Sequence, residues 1–264
     1  MKRLLRPFGK AGVCFVFAAY LAPATLSADA TVQQQGVSSG VLPKTNWTRT
    51  LRIKGTKMRV DSVRGSDTFI YVYDLEAGKR YRLDEKKHQV FVQDLAEESE
   101  RLKTSLMFQN LKKVIKPTGR QLQIAGTACD EYTFDLQAPT HPSRGFSFVL
   151  HDHGTVCASQ ITPVGKDLIN FVHEAMRRGY LVAASVCSPF ASQIGPYFYG
   201  DQTNVLLLSA NSESEYEGGI ALDVGGMGPS QSRMTVTTIN PDPVPDEIFQ
   251  IPSDWKRKTE STPH

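Results

Sequence analysis

His151-Asp152-His153 is the densest group of chemistry-bearing side chains in this sequence. On a strand, successive side chains alternate between faces, so the two imidazoles share one face and suit a shared metal ion. Cys157 or His173 is then the candidate third ligand. The plainer reading is two solvent-side histidines at a strand end beside Gly154, with Phe146, Phe148 and Leu150 marking the opposite face as core. Zinc sites usually declare a fuller ligand set than two histidines.

Other chemistries find no footing. There is no G-x-S-x-G elbow for a serine nucleophile. Gly225-Gly226-Met227-Gly228 lacks the spacing and the strand-to-helix setting of a phosphate-binding loop. Glu97 and Glu98 open a helix, where the dipole favours negative charge, and need no catalytic role. The chain therefore reads as non-enzymatic, with no cofactor implied. A second kind of site is suggested by aromatic residues: Phe69, Tyr71, Tyr73 and Phe91 on strands, and Phe190, Tyr197, Phe198 and Tyr199 in the loop Ser188 to Gln202. Such rings usually fill cores, but a curved sheet can turn them toward an apolar ligand.

The elements that would position these residues are mostly strands. From Trp47 to Asp94, apolar and polar residues alternate between turns at Gly55-Thr56, Arg64 to Asp67, Glu76 to Lys79 and Asp84 to Lys87. Turns this closely spaced join antiparallel neighbours. Asp94 and Glu97 stand in capping-box relation, and a helix is predicted over residues 95–114, ended by Lys112, Lys113, Lys116 and Pro117. A second helix is predicted from Thr162 and Pro163 to Arg178, with Gly179 as its left-handed cap. The fold class is α+β and mainly antiparallel β, a curved sheet or unclosed half-barrel with helices on its concave side.

Residues 1–30 have the three parts of a secretory signal peptide: basic Lys2, Arg3, Arg6 and Lys10, an apolar run, and the small-x-small site Ala28-Asp29-Ala30. The expected organisation is a leader over 1–30, a flexible segment or frayed strand over 31–44, one domain over 45–256 and a polar tail over 257–264. The whole chain has 30 basic and 27 acidic residues; without the leader 26 of each remain, which gives no electrostatic case for nucleic acid. Arg49, Arg52, Lys54, Lys57 and Arg59 form a basic strip, read either as a solvated sheet face or as a peripheral contact to anionic headgroups. An exported chain meets oxidising conditions, so one disulfide is expected among Cys129, Cys157 and Cys187. Cys129–Cys157 is favoured because both lie in strand-like sequence, and the alternative is three reduced thiols.

The segments IKGTKMRVD, DLEAGKRYRLD, PTGRQLQIAGTACDEYTF and IPSDWK resemble an exported bacterial family known as domain of unknown function 4412. That family is similar to periplasmic lipoprotein carriers of the LolA and LolB kind. The resemblance covers roughly Trp47 to Phe134 and the C-terminal strand. It implies an unclosed barrel with an apolar interior, which in the carriers holds acyl chains. The segment Ser143 to Ser232 has no counterpart in those carriers. The sequence is read as an exported binding or carrier protein for a lipid, an acyl chain or a lipidated partner. A metal-binding protein using His151 and His153, or an envelope interaction module with a filled core, are the alternatives. Nothing in it speaks to oligomeric state.

Overall fold

The closely spaced turns of the first half fold into a continuous meander. The computed structural model describes residues 29–40, 44–104, 111–140, 148–160, 166–185, 205–217 and 229–259. In chain order the elements are β1 (Ala30–Ser39), β2 (Thr45–Lys54), β3 (Lys57–Arg64), β4 (Asp67–Asp74), β5 (Lys79–Asp84), β6 (Gln89–Asp94), α1 (Leu95–Thr104), β7 (Lys112–Ile124), β8 (Thr127–Thr140), β9 (Phe148–Gln160), α2 (Lys166–Arg177), α3 (Leu181–Ser185), β10 (Val205–Glu217), β11 (Ser230–Asn240), a 3-10 turn (Asp246–Phe249) and β12 (Lys256–Thr259). They make one 12-stranded sheet in the order β12-β6-β5-β4-β3-β2-β1-β11-β10-β9-β8-β7. Every pairing is antiparallel except β12 on β6. The sheet is a curved, unclosed half-barrel with β12 and β7 as its edges.

Two cores lie on opposite faces. On the inner face, Leu51, Ile53, Met58, Val60 and Tyr73 pack with Leu168, Phe171 and Val172 of α2. On the outer face of β4 to β6, Ile70, Val72, Leu83 and Val90 are covered by Val244 and Phe249 of the segment leading to β12. This explains why β4 is apolar on both sides: each face has its own cover. The predicted start of α1 is present, whereas Thr162 and Pro163, the predicted start of the second helix, lie outside the described residues. The Asp94 carboxylate accepts from the Lys79 ammonium (2.8 Å) and from the backbone N–H groups of Glu97 (3.0 Å) and Ala96 (2.9 Å), which together hold it below the usual carboxylate range. At the end of α2, Gly179 is left-handed (φ +76°) and the Tyr180 N–H returns to the Ala175 carbonyl at 2.8 Å.

Three expectations change. First, residues 31–39 are neither leader nor frayed: β1 joins the first and last halves of the chain, paired with β2 and β11. Asp29 and Ala30 also belong to the fold, since Ala30 is buried and the Asp29 carboxylate accepts the Val244 N–H at 2.7 Å. Residues 1–28 of the expected leader over 1–30 lie outside the described residues. Second, the domain extends past 256, because Lys256–Thr259 is a strand. Third, α1 is described over Leu95–Thr104, residues 105–110 lie outside the described residues, and Lys112 to Val114, expected as the helix end, begins β7. The lysines there occupy a sheet edge, where Pro117 is also tolerated because one side of the strand needs no donor. Val114 and Ile115 favour the strand, and pairing with β8 decides it.

Candidate binding surface on the inner face

Phe69, Tyr71 and Tyr73 alternate along β4 and therefore share its inner face. Their burial is graded: Tyr73 is 4% exposed and Phe69 36%, with Tyr71 packed against the edge of the core. Burial pushes the Tyr73 phenol up to about 12, so it is neutral. The strip runs from the core toward solvent without changing face.

The antiparallel register sets cations beside these rings. Tyr73 stands opposite Arg80, and Tyr71 opposite Arg82. Arg82 in turn stands opposite Phe91. The Arg80 guanidinium lies 5.4 Å from the Tyr71 ring, and Arg82 lies 3.9 Å from Phe91. Arg80 also donates to Gln93 at 2.7 Å through Nε and to Glu98 of α1 at 2.7 Å through Nη2. Lys258 of β12 lies 5.6 Å from Phe91. Further along the face, Arg49 lies 5.2 Å from the Trp47 ring. Trp47 covers Gly36, its cross-strand neighbour. A Cβ at Gly36 would sit 2.2 Å from the indole and 2.3 Å from the Arg233 carbonyl oxygen, so only glycine admits the ring there. Stacked guanidinium groups are worth about 0.5–2 kcal/mol each, according to desolvation.

At the exposed end, a groove of ≈ 420 Å³ is lined by Phe69, Arg82, Asp67, Asp84, Lys86 and Lys87, among others. This arrangement offers apolar and aromatic surface continuous with the core and rimmed by charge. Four of the eight predicted ligand-side aromatics, Phe69, Tyr71, Tyr73 and Phe91, lie on this face. Phe190, Tyr197, Phe198 and Tyr199 lie outside the described residues. Sequence reasoning missed Trp47, Arg80, Arg82 and Lys258. Alternation along β5 places Arg80 and Arg82 on one face, but only the register sets each beside a particular ring.

The histidine pair takes no metal-like form. His153 is exposed, and His151 Nε2 lies 3.2 Å from the Glu217 carboxylate. Asp152 between them points to the inner face and is buried. His173 is on α2, and Cys157 is bonded to Cys129 (S–S 2.04 Å, Cα–Cα 5.5 Å), so the suggested third ligand is consumed. Among the described residues no group of three or more His, Cys, Asp or Glu could hold a metal ion. The expected Cys129–Cys157 disulfide is present and ties β8 to β9.

The basic strip is largely neutralised within the sheet. Arg52 and Arg59 both pair with Asp61, Lys57 reaches Asp74 at 3.5 Å, and Lys54 reaches Asp246 at 2.9 Å. Those four residues are thus ion-paired within the fold. Arg49 is turned to the inner face, over Trp47. Among the described residues no helix is long and apolar enough to cross a membrane.

No family model matches the chain, and no curated protein is a significant match. Among solved structures, the chain is similar to a domain from Vibrio parahaemolyticus assigned to outer membrane lipoprotein sorting. Identity is 7%, TM-score 0.30, and the match covers 84% of this chain and 89% of that one. It is also similar to MucB in complex with MucA(peri), at 12% identity and TM-score 0.29, covering 89% of this chain and 58% of MucB. Similarity this low transfers no site, and the binding surface rests on its own geometry.

Proposed function

We propose that the chain is an exported, non-enzymatic binding protein that holds an acyl chain, a lipid or a lipidated partner against the inner face of its sheet. The observation that carries this reading is the graded strip on β4, from buried Tyr73 to exposed Phe69, ending in the groove beside Arg82. An apolar chain laid along it would extend the core outward, and each methylene removed from water contributes about 0.8 kcal/mol. The Cys129–Cys157 bond and the basic-apolar-small leader support an oxidising compartment outside the cytoplasm.

The test is mass spectrometry of organic extracts from protein purified natively after export, paired with titration of the stripped protein with a fluorescent fatty acid. Enrichment of one lipid class and saturable uptake are expected. Background lipid alone, with no uptake, would leave an interaction module with a filled core as the better description.

A further inference from the structure

We infer that the β12 edge is a docking surface for an anionic lipid bilayer, oriented so that the Phe69 groove opens beside the membrane. The inference deepens the binding reading by naming where the ligand comes from, and it rests on that reading only for what docking delivers. Its own basis is charge. Lys256, Arg257 and Lys258 make up most of the short edge strand and are all exposed. Parallel pairing on β6 sets Lys256 opposite Gln89 and Lys258 opposite Phe91, so both lysines share the inner face with the aromatic strip. The Lys256 N–H donates to the His88 carbonyl at 3.1 Å, and Trp255 stacks on the His88 ring at 5.4 Å. These contacts pin the strand beside the β5–β6 turn, which adds exposed Lys86 and Lys87.

Among the described residues the carboxylates nearby are Asp84, Glu85 and Asp254, with Asp67 across the groove. Lys87 is matched by Asp84 at 3.7 Å, whereas Lys86, Lys256, Arg257 and Lys258 have no carboxylate within 4.0 Å among the described residues. Lys258 and Arg82 moreover converge on one Phe91 ring. The like charges of Lys86, Lys256, Arg257 and Lys258 repel one another in the free protein, and a sheet of phosphates relieves them. The basic strip on β2 and β3 differs because its cations already have acids. The opposite edge, β7, also carries exposed Lys112, Lys113 and Lys116, but the groove beside it, of ≈ 440 Å³ at Pro117 and Arg120, is lined by the carboxylates of Asp130 and Glu131. There lysine has the ordinary role of guarding an edge strand.

The experiment is co-sedimentation of the full exported chain with vesicles of phosphatidylcholine alone or of equimolar phosphatidylcholine and phosphatidylglycerol. Three proteins are compared: the natural sequence, Lys256→Gln/Lys258→Gln, and Lys112→Gln/Lys113→Gln with the same charge change on the far edge. A basic residue at an anionic surface contributes roughly fivefold in partition, so the β12 variant should bind mixed vesicles about 25-fold more weakly. The β7 variant should stay within about twofold, and binding should fall as salt rises. Equal losses in both variants, or no preference of the natural protein for the anionic vesicles, would overturn the docking surface. Fatty-acid uptake by the same three proteins reports separately on the binding reading, so the two can fail independently. Circular dichroism of each variant checks that the exposed substitutions leave the sheet intact.

Discussion

The Asp152 carboxyl is 2% exposed on the inner face, where the Ser214 hydroxyl donates to it at 3.1 Å. Ser212, on the adjoining rung, is 3% exposed with its Oγ unpartnered. Burial raises the Asp152 pKa from 3.8 to about 6, against the opposing pull of the Ser214 hydroxyl and of His153. The unfolded carboxyl loses its proton first as pH rises, so the folded state becomes relatively less stable between about pH 4 and 6. Above about pH 6 the full penalty applies, and below about pH 4 it vanishes. Asp152→Asn is expected to raise stability by roughly 2 kcal/mol at pH 7.5 and to have little effect at pH 4. Denaturant unfolding at the two pH values measures this, and a gain of equal size at both would remove the electrostatic explanation. At this scale the sequence drew attention to His151 and His153, while the consequential residue is the acid between them. Composition cannot distinguish them, because which of three neighbours faces the core depends on the phase of the strand.

At the scale of elements, β1 departs most from expectation. Its sequence, ATVQQQGVSS, is polar enough to read as a leader, yet Val32 and Gln34 are buried and both edges of the strand are paired. Because Asp29 holds Val244 and Ala30 pairs with Ile53, cleavage after Ala30 would remove structure from the middle of the sheet. On the reading of a cleaved leader, the mature chain is therefore expected to retain Asp29, which intact mass and N-terminal sequencing decide; a chain starting at Thr31 would refute it. The capped start of α1, the left-handed end of α2 and the four hairpins of the meander were legible because their signals are local. The far end of α1 was not, since the same lysines suit a helix C-terminus and a guarded sheet edge.

For the whole molecule, the disulfide joins strands near one edge of a sheet whose other edge is formed by the chain's last strand. Cys129 and Cys157 are 28 residues apart, and cross-linking a loop of that length is worth about 3–4 kcal/mol through the unfolded chain. Cys129→Ser/Cys157→Ser should lower unfolding stability by about that amount, read as a reduced denaturant midpoint. An unchanged midpoint would mean that β8 and β9 are held by packing alone. The sequence by itself determined the class of the fold, the strand-rich meander, the capped start of α1 and the left-handed end of α2, because alternation and capping act over a few residues. Only the tertiary structure decided that β1 bridges the two halves, that β12 closes beside β6, and that arginines and lysines meet Tyr71 and Phe91. Those contacts depend on strand order and register, which arise from pairing between segments as far apart as Phe91 and Lys258.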